Sequence, residues 1–303
     1  MTGGVLRAGG LRWGCMKILL IGALGQLGTD FQRVLAEEQI VPVDKEDVDV
    51  RSGAQVDALV EGHKPELVIN CTAFNRVDDC EDDPEPAFAV NAFAVRHIGL
   101  ACRKAGTPLV HFSTDYVFDG EERRPLRETD LPSPRSQYGI SKLTGEHMLQ
   151  AVWPNHYIVR TCGLYGYAGS REKGTNFVET MLRLGAQGKP VRVVDDQYCT
   201  PTSTMDLALA VSRLMTSGRY GLYHLTSGGE CTWYEFARAI FELAGLDTEV
   251  EPVPSSHYPT KAKRPGYSVL DNAAFRAAGF ADMRPWRDAL ADYVKGHAAA
   301  ARL

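Results

Sequence analysis

Tyr138 and Lys142 stand four positions apart in the run Tyr138-Gly139-Ile140-Ser141-Lys142. In a helix this spacing puts both side chains on one face, with Cβ atoms roughly 5–6 Å apart. A free tyrosine has a pKa near ~10 and exchanges protons poorly at neutral pH. General acids work best with a pKa close to the working pH. An ammonium about 5 Å away, at an effective dielectric of about 20, is worth on the order of 3 kcal/mol. That energy would lower the phenol pKa by roughly two. The pair is therefore expected to trade a proton with a substrate oxygen. Upstream, Ser113-Thr114 closes an apolar run, and the Thr114 hydroxyl can donate to the same oxygen.

A second constellation lies near the start of the chain. Gly22-Ala23-Leu24-Gly25-Gln26-Leu27-Gly28 joins an apolar run to an amphipathic segment. Such a turn lets the backbone approach a pyrophosphate, and the helix that follows offers amide donors and the positive end of its dipole. The last glycine lets helix and strand pack closely. Gly22, Gly25, Gln26, Leu27 and Gly28 are thus expected to hold a dinucleotide. Asp44 follows a second apolar run and can accept hydrogen bonds from the adenosine ribose, which favours NADH. Lys45 and Arg51 stand close by, and either can pair with the 2'-phosphate of NADPH, so both cofactors remain open. A dinucleotide turn followed by a Tyr/Lys pair points to hydride transfer between a nicotinamide and a carbonyl carbon.

The elements that must position these groups are legible in the hydrophobic pattern. Strands are expected at 17–21, 40–43, 67–70, 108–112 and 156–160, with helices at 26–38, 56–61, 86–105 and 136–152. Apolar runs alternating with helical spacing imply an α/β fold with a doubly wound parallel sheet. Beyond residue 165 the rhythm weakens. Helices are expected at 176–186, 204–215, 232–244 and 286–297, an extended run at 191–194 and a late sheet strand at 223–226. Pro252, Pro254, Pro259 and Pro265 mark a loop-rich stretch. The expected division is a nucleotide-binding domain over 16–165 with later elements from about 198–228. Residues 166–197 and 229–303 then form a smaller substrate-binding lobe.

Composition narrows the classes of function. The 303 residues carry 33 basic and 38 acidic side chains, a net charge of -5, with no basic block that would serve a nucleic acid. The longest apolar runs are strand-length, far short of the ~20 residues that span a bilayer. Seven cysteines, an odd number with no Cys-x-x-Cys pair, read as free thiols of a reducing cytoplasm. The eight histidines show no metal-ligand spacing, so no metal is expected. Residues 1–15 are rich in Gly and Arg and lack the apolar core of a secretory signal. Met16-Lys17-Ile18-Leu19-Leu20-Ile21-Gly22 reads as a natural start, which makes 1–15 an expected disordered extension.

The run Phe112-Ser113-Thr114-Asp115-Tyr116-Val117-Phe118-Asp119-Gly120, followed by Tyr138-Gly139-Ile140-Ser141-Lys142, resembles the extended short-chain dehydrogenase/reductase family. Within it the finer resemblance is to the dTDP-4-dehydrorhamnose reductase family, and it extends from residue 16 to about residue 290. The resemblance implies a Rossmann-type sheet with a C-terminal α/β lobe, NADPH or NADH as cofactor, and a nucleotide-sugar substrate. It implies reduction of a 4-keto group in the last step toward dTDP-L-rhamnose. Tyr138 would give the oxygen its proton, Thr114 would polarise the carbonyl, and Lys142 would hold the nicotinamide ribose. Asp49, Val50, Thr72, Ala73 and Phe74 would join the cofactor site, and Asp115, Asn176 and Gln197 the substrate site.

Two departures stand out. Cys162-Gly163 replaces a Ser-Trp pair whose tryptophan lines the sugar pocket. Some members form homodimers through magnesium held by glutamates, but here Asp30 stands near one such position and Met205 at another, with Asp206 beside it, so that site is not expected. A homodimer is compatible with the resemblance. Two alternatives belong to the same resemblance: a nucleotide-sugar epimerase or dehydratase, and a non-catalytic subunit like the regulatory subunit of methionine adenosyltransferase. Dehydratases commonly add acid/base residues, whereas Thr114 is followed here by Asp115-Tyr116 rather than an Asp-Glu pair. A chain beginning at Met16 is expected to fold and turn over like the full chain, which a side-by-side assay of the two checks.

Overall fold

The structure, a computed structural model, describes residues 15–169 and 174–300, with side chains to residue 297. The expectation of disorder over 1–15 concerns residues that, Cys15 apart, lie outside those described.

Lys17–Ile21 forms β1, whose apolar side chains are buried on both faces as a central parallel strand requires. The glycine turn leads into α1 (Gln26–Val34), four residues shorter than the expected 26–38. The Leu35 amide makes the last bond of this helix, to the Phe31 carbonyl, and the chain then turns so that the Gln39 amide donates to the Met16 carbonyl. That bond opens β2 (Gln39–Val43) beside β1. Ser52 caps α2 (Gly53–His63), and β3 (Leu67–Asn70) follows.

The expected single helix over 86–105 is divided. Two one-turn helices, α3 (Asp79–Asp82) and α4 (Glu85–Phe88), precede a π-helical turn over Ala89–Phe93, which runs into α5 (Ala94–Ala105). Asn91 in the π turn accepts the Phe74 amide at 2.9 Å and donates to the Phe74 carbonyl and to Ser141 Oγ, each at 3.0 Å. The extra residue in that turn brings the Asn91 carbonyl against Gly145, where an added Cβ would lie 2.0 Å away.

Next come β4 (Leu109–Thr114), α6 (Gln137–Val152, capped by Ser136) and β5 (His156–Thr161). The chain then builds β6 (Leu164–Tyr165), α7 (Phe177–Gly185), β7 (Val191–Val194), β8 (Tyr198–Cys199) and β9 (Thr202–Ser203). The helix α8 (Thr204–Leu214) carries it back to β10 (Gly221–His224). Five elements close the chain: β11 (Cys231–Thr232), α9 (Trp233–Ala244), β12 (Val250–Val253), α10 (Ala273–Ala277) and α11 (Trp286–Ala300). A reciprocal capping box between Thr232 and Glu235 starts α9.

Six strands form one parallel sheet in the order β10-β5-β4-β3-β1-β2. The late strand expected at 223–226 lies two residues earlier and takes the sheet edge beside β5. One apolar layer, including Phe31, Leu207 and Val211, covers one face, and another, including Val56, Ile98 and Leu149, covers the other. A separate core of Tyr165, Val178, Phe236, Ile240 and Leu290 joins α7, α9 and α11. No described helix is long and apolar enough to cross a membrane.

The β1–α1 join is the tightest part of this scaffold. A Cβ on Gly28 would stand 2.3 Å from the Gly22 carbonyl oxygen and 2.8 Å from Ala23 Cα. Backbone on both sides leaves nothing flexible to yield. Overpacking of this kind costs about 1–3 kcal/mol, so Gly28→Ala is expected to lower unfolding stability by at least that range in urea titration.

Candidate active site

Strand order reverses between β1 and β3, since the chain passes from β1 to β2 on one side and then to β3 on the other. Ligands of open α/β sheets bind outside the carboxyl ends of the strands at such a point. A cavity of about 1670 Å³ opens there and runs to the α7–α9 core. Drug-sized ligands occupy pockets of roughly 300–1,000 Å³, so this one has room for two ligands end to end.

All the residues expected to bind cofactor line this cavity: Gly22, Gly25, Gln26, Leu27, Gly28, Asp44, Asp49, Val50, Thr72, Ala73 and Phe74. Gly22 has φ +81°, and a Cβ there would press on the Cys71 carbonyl carbon at 3.0 Å. Gly25 precedes α1 without any side-chain cap, so the first helical amides are open to an anion. The residues present therefore fit a pyrophosphate. Asp44 is tied into the turn, its carboxylate accepting the amides of Leu24 and Lys45 at 2.9 Å each. Arg51 makes a two-pronged pair with Asp49 at 2.8 and 2.9 Å, which lowers the Asp49 pKa. Asn70 Oδ1 holds the Thr72 amide and hydroxyl.

At the inner end of the cavity the Thr114 hydroxyl stands beside the Tyr138 phenol and favours its ionised form. It also accepts the Tyr116 amide at 3.2 Å and donates to Asp115 at 2.9 Å. Gly139 lets α6 press on this corner: a Cβ there would lie 2.2 Å from the Tyr116 carbonyl. The ammonium of Lys142 donates to the Phe112 carbonyl at 2.7 Å.

The expectation that Lys142 draws the Tyr138 pKa down is corrected by the packing. Tyr138 is enclosed, burial pushes its pKa up, and the Thr114 bond is the chief opposing influence. Burial also pulls Lys142 down to about 8, opposed by the Glu146 carboxylate. Burial of the phenol therefore outweighs the neighbouring ammonium. The consequence is a phenol held protonated, the form needed to give up a proton.

The residues expected at the substrate, Asp115, Asn176 and Gln197, all line the cavity. Asp115 is buried, which raises its pKa against bonds from Ser268, Cys162 and Thr114. Asn176 caps α7 through the Glu179 amide and donates to the Gly166 carbonyl and to Gln26 Oε1, at 2.9 and 3.1 Å. Its amide thus joins the glycine turn to the α7 core. Where Cys162-Gly163 departs from the resemblance, the aromatic wall comes from Trp233, 3.6 Å from where a Gly163 Cβ would stand. Of the two acids near the magnesium positions, Asp30 pairs with Arg33 and Asp206 with Arg284.

The site list from sequence lacked a clasp over the cavity. Arg264 donates to Asp78 at 3.1 Å and to the Tyr116 hydroxyl at 3.4 Å, and Asp78 also takes the Ala262 amide. These partners lie too far apart in sequence for any spacing to reveal them.

Comparison with known proteins gives the same grouping. Residues 16–298 match the family described as RmlD substrate binding domain. A dTDP-4-dehydrorhamnose reductase of Streptomyces griseus is 41% identical over 283 residues, covering 90% of this chain and 91% of the relative. The chain belongs to the dTDP-4-dehydrorhamnose reductase family. A dTDP-4-keto-6-deoxy-D-glucose reductase of Streptomyces niveus is 40% identical over 276 residues, 90% of this chain and 94% of that one. The Bacillus anthracis dTDP-4-dehydrorhamnose reductase, solved in complex with NADP, is 36% identical with a TM-score of 0.88, covering 92% of this chain and 98% of its own.

In this reductase family member the corner geometry makes one residue testable at once. Tyr138→Phe removes the acidic hydroxyl and keeps the ring against Tyr116, whose centroid lies 5.5 Å away. Turnover is expected to fall by about 10²-fold or more, with cofactor affinity nearly unchanged in a fluorescence titration.

Proposed function

We propose that this chain reduces the 4-keto group of dTDP-4-dehydrorhamnose to give dTDP-L-rhamnose, using NADPH or NADH. The observation that carries the reading is that Thr114, Tyr138 and Lys142 line the same cavity as the dinucleotide turn. The 4-keto sugar reductases among the relatives support the substrate class, and the NADP held by the Bacillus anthracis relative supports the cofactor.

When bound, the reduced nicotinamide supplies the hydride that the sugar carbon gains. The chain does the rest. Tyr138 directs its hydroxyl at the carbonyl oxygen, and Thr114 joins it by turning its single proton from Asp115 to that oxygen. The Tyr138 proton passes to that oxygen as it gains charge, and solvent restores it. A fixed donor at a developing oxyanion is typically worth 10²–10³ in rate. Lys142 holds the ribose, with Thr72, Ala73 and Phe74 along the cofactor, while Asp44, Asp49 and Val50 meet its adenosine end. Asp115 orients the Thr114 hydroxyl, and Gln197 and Asn176 face the sugar nucleotide. In this reading, residues 16–165 with 198–228 hold the cofactor, and 166–197 with 229–303 hold the sugar.

The test is oxidation of NADH and NADPH at 340 nm on dTDP-4-keto-6-deoxy-L-mannose generated in situ. Turnover with net cofactor consumption is expected. The ratio of the two rates reports whether Asp44 or the neighbouring Lys45 and Arg51 govern the adenosine ribose. Binding of both cofactors with no consumption would overturn the assignment.

A further inference from the structure

Behind the catalytic corner lies a buried ion pair that this chemistry does not use. Glu146 and Arg160 have side chains only 1% and 3% exposed. Arg160 grips the carboxylate with two nitrogens, at 2.9 and 2.6 Å, and Ser113 Oγ donates to the same Oε1. The third guanidinium nitrogen is 3.5 Å from His224 Nε2, and the guanidinium lies 5.2 Å from the centre of the Phe118 ring. Burial and the Arg160 charge pull His224 to about 3, so its ring is neutral. Its Nδ1–H then donates to the Leu126 carbonyl and its Nε2 accepts from Arg160. Desolvation offsets much of the attraction in a buried pair, which makes it a weak stabiliser. Its value has to lie in what it holds.

Glu146 follows Lys142 by one turn on the same face of α6. Its partner Ser113 sits between Phe112, whose carbonyl receives the Lys142 ammonium, and Thr114. Arg160 is paired with Ser113 in the β4–β5 register. We propose that Glu146 is the positioning residue for Lys142: clamped by Arg160 and Ser113, its carboxylate keeps the buried lysine charged and fixes the strand end that presents the Phe112 carbonyl and the Thr114 hydroxyl. The proposal rests on the reductase reading for the task of Lys142.

The groups around the lysine are few. Tyr138 lies one turn before it on α6, and burial holds its phenol protonated. His111 on β4 is buried beside it and kept neutral by burial and by the lysine charge. Arg160 on β5 and His224 on β10 face Glu146. Glu146 is therefore the anion that offsets burial at Lys142, whose pKa lies at about 8. The sign follows: the ammonium is present below that pH and lost as pH rises through it, sooner if the carboxylate charge is removed.

The test is the dissociation constant of NADPH across neutral to alkaline pH, read by protein fluorescence on the full chain. In the wild type, affinity is expected to fall as pH rises past about 8. Glu146→Gln keeps the hydrogen-bonding shape and drops the charge, and its midpoint is expected to move down by roughly one pH unit or more. Glu146→Asp is expected to return most of that shift. Should Glu146→Gln not fold, the double variant Glu146→Gln/Arg160→Met removes both charges together and is expected to move the midpoint in the same direction by a smaller amount. An unmoved midpoint in either folded variant overturns the proposal. A moved midpoint in a protein that reduces no 4-keto sugar upholds it and removes the substrate assignment alone.

Discussion

The contact on which most of this molecule depends is the bare approach of Gly28 to the Gly22 carbonyl. With no side chain between them, α1 lies close enough to β1 for Phe31 and Leu27 to join the layer under the sheet. The same approach aims the uncapped amides of α1 at the point where strand order reverses. From that placement the rest of the site follows. β3 delivers Thr72 to Phe74 on the opposite wall, and β4 and α6 deliver the hydroxyls and the ammonium further along one rim. A parallel sheet sends all these loops to the same edge, so residues from distant parts of the sequence meet without any long excursion.

Burial sets the chemistry of the inner corner more than pairwise attraction does. Tyr138 and Lys142 were brought to one helix face by their spacing, yet each answers first to the loss of water around it. The phenol is biased toward its protonated form and the ammonium toward its neutral form. A corner arranged this way keeps a proton on the phenol, and the bond to the Phe112 carbonyl keeps the Lys142 ammonium in register. The π turn supports the same corner from outside, because Asn91 ties Phe74 to Ser141, which lies between Tyr138 and Lys142 in sequence.

Much of the architecture was legible in the sequence because it is written at short range. Apolar runs of strand length, glycines at a turn and a Tyr-x-x-x-Lys spacing are local patterns, and β1, β3 and β7 matched their expected limits while most other elements shifted by a residue or a few. What escaped was decided by packing. The break in the helix over 86–105 answers to Gly145 on a distant helix. The proton affinity of Tyr138 depends on an enclosure that no spacing encodes. Asn176, expected at the substrate, lines the cavity, and its bonds to α7, Gly166 and Gln26 are contacts that no spacing announced. The Arg264–Asp78 clasp joins residues with no common motif. Cysteine and glycine at 162 and 163 signalled a lost aromatic wall, and only the fold could bring Trp233 to that place.

The edge strand β10 has a consequence for synthesis. It reaches the sheet only after the chain has passed through β6 to β9 and α7 to α8. Until residues 221–224 leave the ribosome, β5 has no partner on its outer side, although all six of its residues are buried in the finished protein. A strand with unpaired backbone groups is a template for pairing with other chains. The nascent polypeptide therefore passes through an interval of self-association risk that ends when β10 docks. Cellular yield should respond to holdase chaperones and to translation speed between β5 and β10 more than to the final stability of the fold.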